Sequence, residues 1–217
     1  ENDDGCGVDL TLVSPDGEEG FPGNLQVRVR YLFTPDCELI ISYQAETDMP
    51  TIVNLTQHSY FNLAGRGSIT NHQRYINGSG ITPVGSDLIT TGEVMAVDGT
   101  PFDFRNSRPI YAAMIEPHDQ KAKGDGFDHN FVLDSDGDVS RVAAHVYEPE
   151  SGRSMEVRTS KPGMQLYTGN YLEGTLKGRG GVSFEKHGAL CLETQYYPDS
   201  PNHPSFPSPI LQPGQKY

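Results

Sequence analysis

The 217-residue sequence contains no tryptophan, three cysteines, and only 16 lysine and arginine residues against 29 aspartate and glutamate residues. The formal charge of −13 would repel nucleic acid and anionic lipid, so neither is expected as a partner. No apolar run approaches the roughly 18 residues that a membrane helix needs, and residues 1–4 lack the basic and apolar character of a signal peptide. These absences predict a soluble, cytoplasmic protein.

Several motifs are also missing. The cysteines Cys6, Cys37 and Cys191 have no CxxC spacing, so neither a disulfide framework nor a zinc knuckle is indicated, and reduced thiols fit a cytoplasmic setting. There is no GxSxG, P-loop, GxGxxG or HExxH sequence, which argues against serine hydrolases, nucleotide binding and zinc proteases. The acidic run 134–138 has its glycine at the fourth position instead of the sixth, so a calcium loop is not expected. No metal site is predicted.

What is present points to an all-β chain. The 24 glycines and 16 prolines indicate frequent turns and few helices. Apolar residues alternate with polar ones over 25–33 and again over 39–45, which predicts a hairpin, and 142–146 with 155–159 predict a second one. Residues 106–115 are expected to hold a short helical turn. Without repeats or a linker-like segment, residues 1–217 are predicted to form one domain.

The run from Asn54 to Leu63 sets His58 among polar neighbours. Interpreted as a strand, it places Thr56, His58 and Tyr60 on one face. Imidazole has an unperturbed pKa of about 6.5, which suits proton transfer near neutrality. A structural histidine bonded to nearby backbone is the alternative.

Glu193 lies in an apolar run, 190–195, that is predicted to be a buried strand. Burial raises the pKa of a carboxyl group, as a general base near neutral pH requires, although a structural ion pair would also explain it. Asp128 and Asn130 share a strand face and suit hydrogen bonding to neighbouring hydroxyls, unless they form a turn. Gln165 and Tyr167 share another face and offer the amide and ring that sugar sites use, or simply pack.

Four segments, 54–63, 126–131, 163–170 and 192–199, resemble the aldose 1-epimerase (galactose mutarotase) family in order and spacing. Residues 14–25 and 210–214 also resemble segments of that family, so the likeness spans almost the whole chain. It implies a large antiparallel β-sandwich, the galactose-mutarotase-like supersandwich. It also implies an isomerase that interconverts the α and β anomers of free hexoses such as galactose and glucose, without cofactor or metal.

The resemblance further implies that His58 is the acid that protonates the ring oxygen of the sugar. Glu193 is then the base that takes the proton from the anomeric hydroxyl. Four other residues are expected to bind the sugar: Asp128, Gln165, Tyr60 and Asn130.

One departure limits this interpretation. The family's domain ordinarily begins well upstream, with strands, a second active-site histidine and a sugar-binding arginine that cannot be located here. Residues 1–217 are therefore expected to match the C-terminal two-thirds of that domain. A carbohydrate-binding remnant without catalytic activity is the alternative, and an epimerase of phosphorylated hexoses is disfavoured by the acidic charge and the lack of clustered basic residues.

Overall fold

The computed structural model describes residues 5–217, and antiparallel strands make up most of their regular secondary structure. The strands are β1 Cys6–Ser14, β2 Leu25–Phe33, β3 Leu39–Thr47, β4 Thr51–Ile52, β5 Gln73–Ile76, β6 Gly78–Thr82, β7 Met95–Ala96, β8 Arg108–Pro109, β9 Asp128–Leu133, β10 Ala144–Tyr147, β11 Ser154–Val157, β12 Gly163–Tyr167, β13 Cys191–Gln195 and β14 Ile210–Leu211. Two short helices, α1 Ile110–Ile115 and α2 Asp119–Gly124, lie between β8 and β9. Neither reaches the length that crossing a membrane requires.

The described residues form two compact units. The smaller unit consists of the described residues that precede Thr56, together with Ser208–Tyr217. Here β1, β2 and β3 form a meander in which Leu25 pairs with Thr47 and Phe33 with Leu39, confirming the first predicted hairpin. The short strands β4 and β14 pair separately. A small apolar core is centred on Ala45, Val53 and Leu211.

The larger unit, Thr56–Pro207, contains two antiparallel sheets. The five-stranded sheet has the order β13-β12-β9-β6-β7, and the four-stranded sheet has the order β11-β10-β5-β8. Ile76 and Val146 of the four-stranded sheet share one buried core with Phe131 and Leu166 of the five-stranded sheet. The sheets therefore pack face to face, as the predicted antiparallel β-sandwich requires.

Two local predictions in the larger unit are confirmed. Strands β10 and β11 pair as a hairpin, with Ala144 opposite Val157, and α1 is the helical turn expected within 106–115. The described residues form two compact units. That residues 1–217 make up one domain stays a prediction.

Candidate active site

Polar side chains from three neighbouring strands meet on one face of the five-stranded sheet. The backbone register places Asn130, Gln165 and Glu193 directly opposite one another, and Asp128, Tyr167 and Cys191 in the adjacent row. Directly opposed residues of antiparallel strands project to the same side, and residues two apart on a strand do so as well. The six side chains therefore form one patch across β9, β12 and the edge strand β13.

His58 comes from a segment that is held by side-chain bonds instead of a strand ladder. The Gln57 side-chain amide donates to the carbonyl oxygen of Leu192 at 2.8 Å, and the Ser59 N–H donates back to the Gln57 carbonyl oxygen at 2.8 Å. Phe61 and Leu190 then exchange backbone hydrogen bonds of 2.8 and 2.9 Å. The strand interpretation is thus wrong for residues 56–60, because the Gln57 amide replaces the backbone partner that a ladder would supply.

These two anchors set His58 beside Glu193. The His58 Nε2 atom lies 3.5 Å from the Glu193 Oε1 atom, with side-chain exposures of 53% and 11%. The imidazole stacks on Tyr60 with ring centroids 5.1 Å apart, and Tyr167 meets both rings edge-on. The contact thus joins a carboxylate fixed in a buried strand to an imidazole that is open to solvent.

A chain of amide hydrogen bonds leads from Gln195 to Asp128. Gln195 Nε2 donates to Gln165 Oε1 at 3.2 Å, and Gln165 Nε2 donates to Asp128 Oδ1 at 2.9 Å. Each donor has a defined acceptor, so both amide orientations are fixed. Among residues 5–217 no hydrogen bond engages the second carboxylate oxygen of Asp128, so this oxygen can accept one from a ligand.

These groups surround a cavity of about 420 Å³. Its wall consists of His58, Tyr60, Asp128, Gln165, Tyr167, Tyr171, Glu193, Gln195 and Pro198. The volume falls within the range of about 300–1,000 Å³ that small-molecule sites occupy. This combination of rings, amides and carboxylates suits a ligand that presents both C–H faces and hydroxyl groups.

The electrostatics of the cavity keep its carboxyl groups easy to protonate. Burial raises the pKa of Glu193, the His58 charge opposes the shift, and the charge of Asp128 adds to it. Burial also raises the pKa of Asp128, against the Gln165 hydrogen bond and the His58 charge. A carboxyl group whose pKa moves toward neutrality is suited to general acid–base chemistry.

Five of the six predicted site residues line this cavity, and Asn130 does not. Asn130 is 1% exposed, and its side-chain oxygen accepts a hydrogen bond of 3.4 Å from Gln195. Its side chain occupies the space beside Gly163, where a Cβ atom would overlap it. It therefore lies behind the cavity wall and supports the amide chain.

Four wall residues were not among the predicted site residues: Tyr167, Tyr171, Gln195 and Pro198. Tyr167 and Gln195 were detectable from period-2 alternation, since each follows a predicted site residue by two positions on the same strand. Tyr171 lies beyond β12, and no local pattern marks it.

A second cavity of about 540 Å³ contains none of the predicted residues. Its most buried acid, Glu148, accepts hydrogen bonds from the backbone N–H groups of Glu150 and Ser151. Those bonds hold the turn between β10 and β11, which is a structural task. The smaller cavity, with its paired acid and base, is therefore the better candidate for catalysis.

Comparison with known proteins is consistent with this geometry. The aldose 1-epimerase family model matches residues 2–217. The chain belongs to the aldose 1-epimerase family.

Its relatives include the galactose mutarotase of Homo sapiens, 47% identical over 213 residues, and the aldose 1-epimerase of Escherichia coli K12, 41% identical over 211 residues. These alignments cover 97% and 96% of this chain and 60% of each relative. The crystal structure of galactose 1-epimerase from Lactobacillus acidophilus superposes with a TM-score of 0.84 at 30% identity, over 97% of this chain and 60% of that one. The chain thus spans about 60% of the length of the relatives it matches.

Proposed function

We propose that this chain carries a site that interconverts the α and β anomers of free hexoses such as galactose and glucose. The main support is the 3.5 Å approach of His58 Nε2 to Glu193 Oε1 at a cavity of monosaccharide size. Membership of the aldose 1-epimerase family and the names of the relatives agree with this chemistry.

The reaction needs two proton transfers at neighbouring oxygens. The ring oxygen and the anomeric hydroxyl are bonded to the same carbon, so an acid and a base that lie side by side can reach both. Glu193 takes the proton from the hydroxyl while His58 gives one to the ring oxygen, and the C1–ring-oxygen bond breaks to form the open-chain aldehyde. No atom is gained or lost.

Ring closure uses the same residues in exchanged roles. After rotation about the C1–C2 bond, the other carbonyl face meets the ring hydroxyl. Neutral His58 then takes the proton of that hydroxyl, while Glu193 returns its proton to the carbonyl oxygen. Each positioned transfer contributes roughly 10²- to 10⁴-fold in rate.

The remaining cavity residues hold the sugar while C1 rotates. Asp128 and Gln165 are already hydrogen-bonded to each other, and both are assigned to hydroxyl groups away from C1. Tyr60 offers an aromatic face and stacks on the imidazole of His58. Asn130 is assigned an indirect role, through Gln195.

Polarimetry of freshly dissolved α-D-glucose or galactose tests the proposal. The chain should accelerate mutarotation, and His58→Ala and Glu193→Gln should each lower the acceleration by about 10²- to 10⁴-fold. His145→Ala is the matched control, because His145 lies in β10 outside the cavity and its loss should leave the rate unchanged. Equal rates in all four proteins would refute the assignment.

Sugar binding without acceleration, measured by calorimetry with galactose, would instead support the carbohydrate-binding remnant. The predicted cytoplasmic location also stays a prediction. Its basis is that Cys6, Cys37 and Cys191 are all free thiols.

A further inference from the structure

Cys191 has no part in the proton transfers, yet it lies next to the residues that make them. It begins β13, is fully buried, and stands opposite Tyr167. The ligand atoms of His58, Cys191 and Glu193 lie within 4.8 Å of one another. Among residues 5–217 this is the one such group of three, and it places a buried thiol next to an imidazole and a carboxylate of the cavity wall.

These three groups are the side chains that bind zinc and cadmium. A site with three protein ligands and an open fourth position is the arrangement of catalytic zinc centres, and thiol ligands select thiophilic metals over magnesium and calcium. We propose that His58, Cys191 and Glu193 form a binding site for a thiophilic divalent cation, Zn²⁺ or Cd²⁺, and that the bound cation inhibits the enzyme. The cavity supplies the fourth position.

The geometry is close to what such an ion needs. Three atoms no more than 4.8 Å apart share a point within about 2.8 Å of each, whereas ligand distances in zinc sites are about 2.0–2.3 Å. His58 Nε2 and Glu193 Oε1, at 3.5 Å, already have a separation that two ligands of one ion can adopt. The remaining contraction needs small side-chain rotations, and His58, whose side chain is half-exposed, has the most room for them.

Binding must displace a proton from the thiol. Cysteine binds a metal ion as the thiolate, so the thiol proton has to leave when the ion binds. A cation that takes the thiolate releases that proton, as metal binding to cysteine generally does. Proton release thus distinguishes binding at Cys191 from loose attachment to surface carboxylates.

The functional consequence rests on the proposed function. A cation on the His58 nitrogen and the Glu193 oxygen leaves neither group free to exchange a proton with the sugar. Inhibition should be competitive with galactose, because the open coordination position faces the cavity that the sugar would fill.

Cadmium titration of the full chain tests the site directly. Cys6 and Cys37 are exposed and would bind metal themselves, so the parent protein for the test carries Cys6→Ser and Cys37→Ser. Calorimetry should show one Cd²⁺ per chain with release of about one proton. Ultraviolet absorption should gain a thiolate-to-cadmium band.

Removing a ligand should weaken binding strongly. Loss of even an outer-shell partner costs about 10- to 100-fold in metal affinity, so Cys191→Ser and His58→Ala should each cost at least about 100-fold. His58 is half-exposed, so His58→Ala keeps the test valid even if Cys191→Ser folds poorly. Equal cadmium affinity in the parent and both variants, or a titration without the thiolate band, would overturn the proposal.

The mutarotation rate is measured independently of cadmium binding. Mutarotation by the parent should fall at least tenfold on saturation with Cd²⁺, whereas the rate that Cys191→Ser retains should be insensitive to the metal. A cadmium band in a parent that does not accelerate mutarotation would leave the metal site standing and refute the proposed function. Full activity at saturating Cd²⁺, with the band present, would refute the inhibition.

Discussion

Arg74 lies in β5 with its guanidinium group inside the core of the larger unit, and replacing it with methionine should stabilise the protein. The side chain is fully buried, and none of its three nitrogens has a hydrogen-bond acceptor among residues 5–217. Its guanidinium carbon lies over two aromatic rings, 3.6 Å from the ring centroid of Phe104 and 5.2 Å from that of Phe127. Burial lowers the pKa of Arg74 well below its usual value, as expected of a desolvated charge.

The size of the gain follows from two opposing terms. Desolvating one ion costs several kcal/mol, and exchanging even a paired buried ion for apolar residues is often neutral or stabilising by about 1–4 kcal/mol. The cation–π contact with Phe104 returns about 2 kcal/mol when desolvated. Since Arg74 lacks a counter-ion, Arg74→Met should raise the free energy of unfolding by about 2–4 kcal/mol. For 217 residues that corresponds to about 5–15 °C in Tm.

Urea unfolding followed by circular dichroism, together with thermal melting, measures this change. Arg158→Met is the matched control in the same unit, because Arg158 is exposed and its ion pair with Glu156, at 3.3 Å, is on the surface. Its loss should change stability by no more than about 1 kcal/mol. If Arg74→Met lowers the unfolding free energy by more than the control does, the guanidinium stabilises the core and the reasoning is wrong.

Two further predictions concern the site, and one concerns the segment that precedes β9. Glu193→Gln should raise Tm at pH 7, because the raised pKa of Glu193 makes the ionised carboxylate destabilising in the folded protein. In a pH series this gain should disappear as the pH falls toward 4.5, the ordinary pKa of the group, and a lower Tm at pH 7 would contradict the prediction. Gly126→Ala should lower the free energy of unfolding in urea by about 1–3 kcal/mol, since the φ of Gly126 is +143° and a Cβ atom would overlap Asn170. Gly152→Ala is the control, also at positive φ but in open space, and should cost less; equal costs would refute the overlap. Asp128→Asn should raise KM for galactose by about 10- to 100-fold with a smaller change in kcat, because it removes a charged hydrogen-bond acceptor. Steady-state polarimetry measures both constants, and an unchanged KM would exclude the contact between Asp128 and the sugar.

Local alternation predicted the hairpins well because both strands of each hairpin are close in sequence. The pairing of β2 with β3, and of β10 with β11, needs only a turn and a matching apolar face. Strand order across the sheets was not predictable in this way. β12 lies between β9 and β13, and β10 pairs with β5, through contacts between residues far apart in the chain. Nothing in a local window encodes such neighbours.

The candidate site was found by motif, and its details show where motif and pattern fail. Alternation placed Asn130 on the face of Asp128, as the register confirms, but it could not reveal that Gln195 reaches across β12 to hydrogen-bond Asn130. Arg74 is a similar case, since its charge predicts exposure and only the packing of Phe104 shows where it lies. Burial depends on neighbours from distant parts of the chain.

Glu193 and His58 are held in place in different ways, and the difference bears on the mechanism. Glu193 is fixed by the backbone pairing of β13 with β12 and is 8% exposed, whereas His58 lies between two anchors on a segment without a ladder and is open to solvent. In the proposed reaction the sugar rotates about C1–C2 between two proton exchanges. A fixed base together with an acid that has room to reorient suits that rotation, because the oxygen on C1 changes its position between the two exchanges. The same mobility is what a thiophilic cation would use to draw His58 toward Cys191.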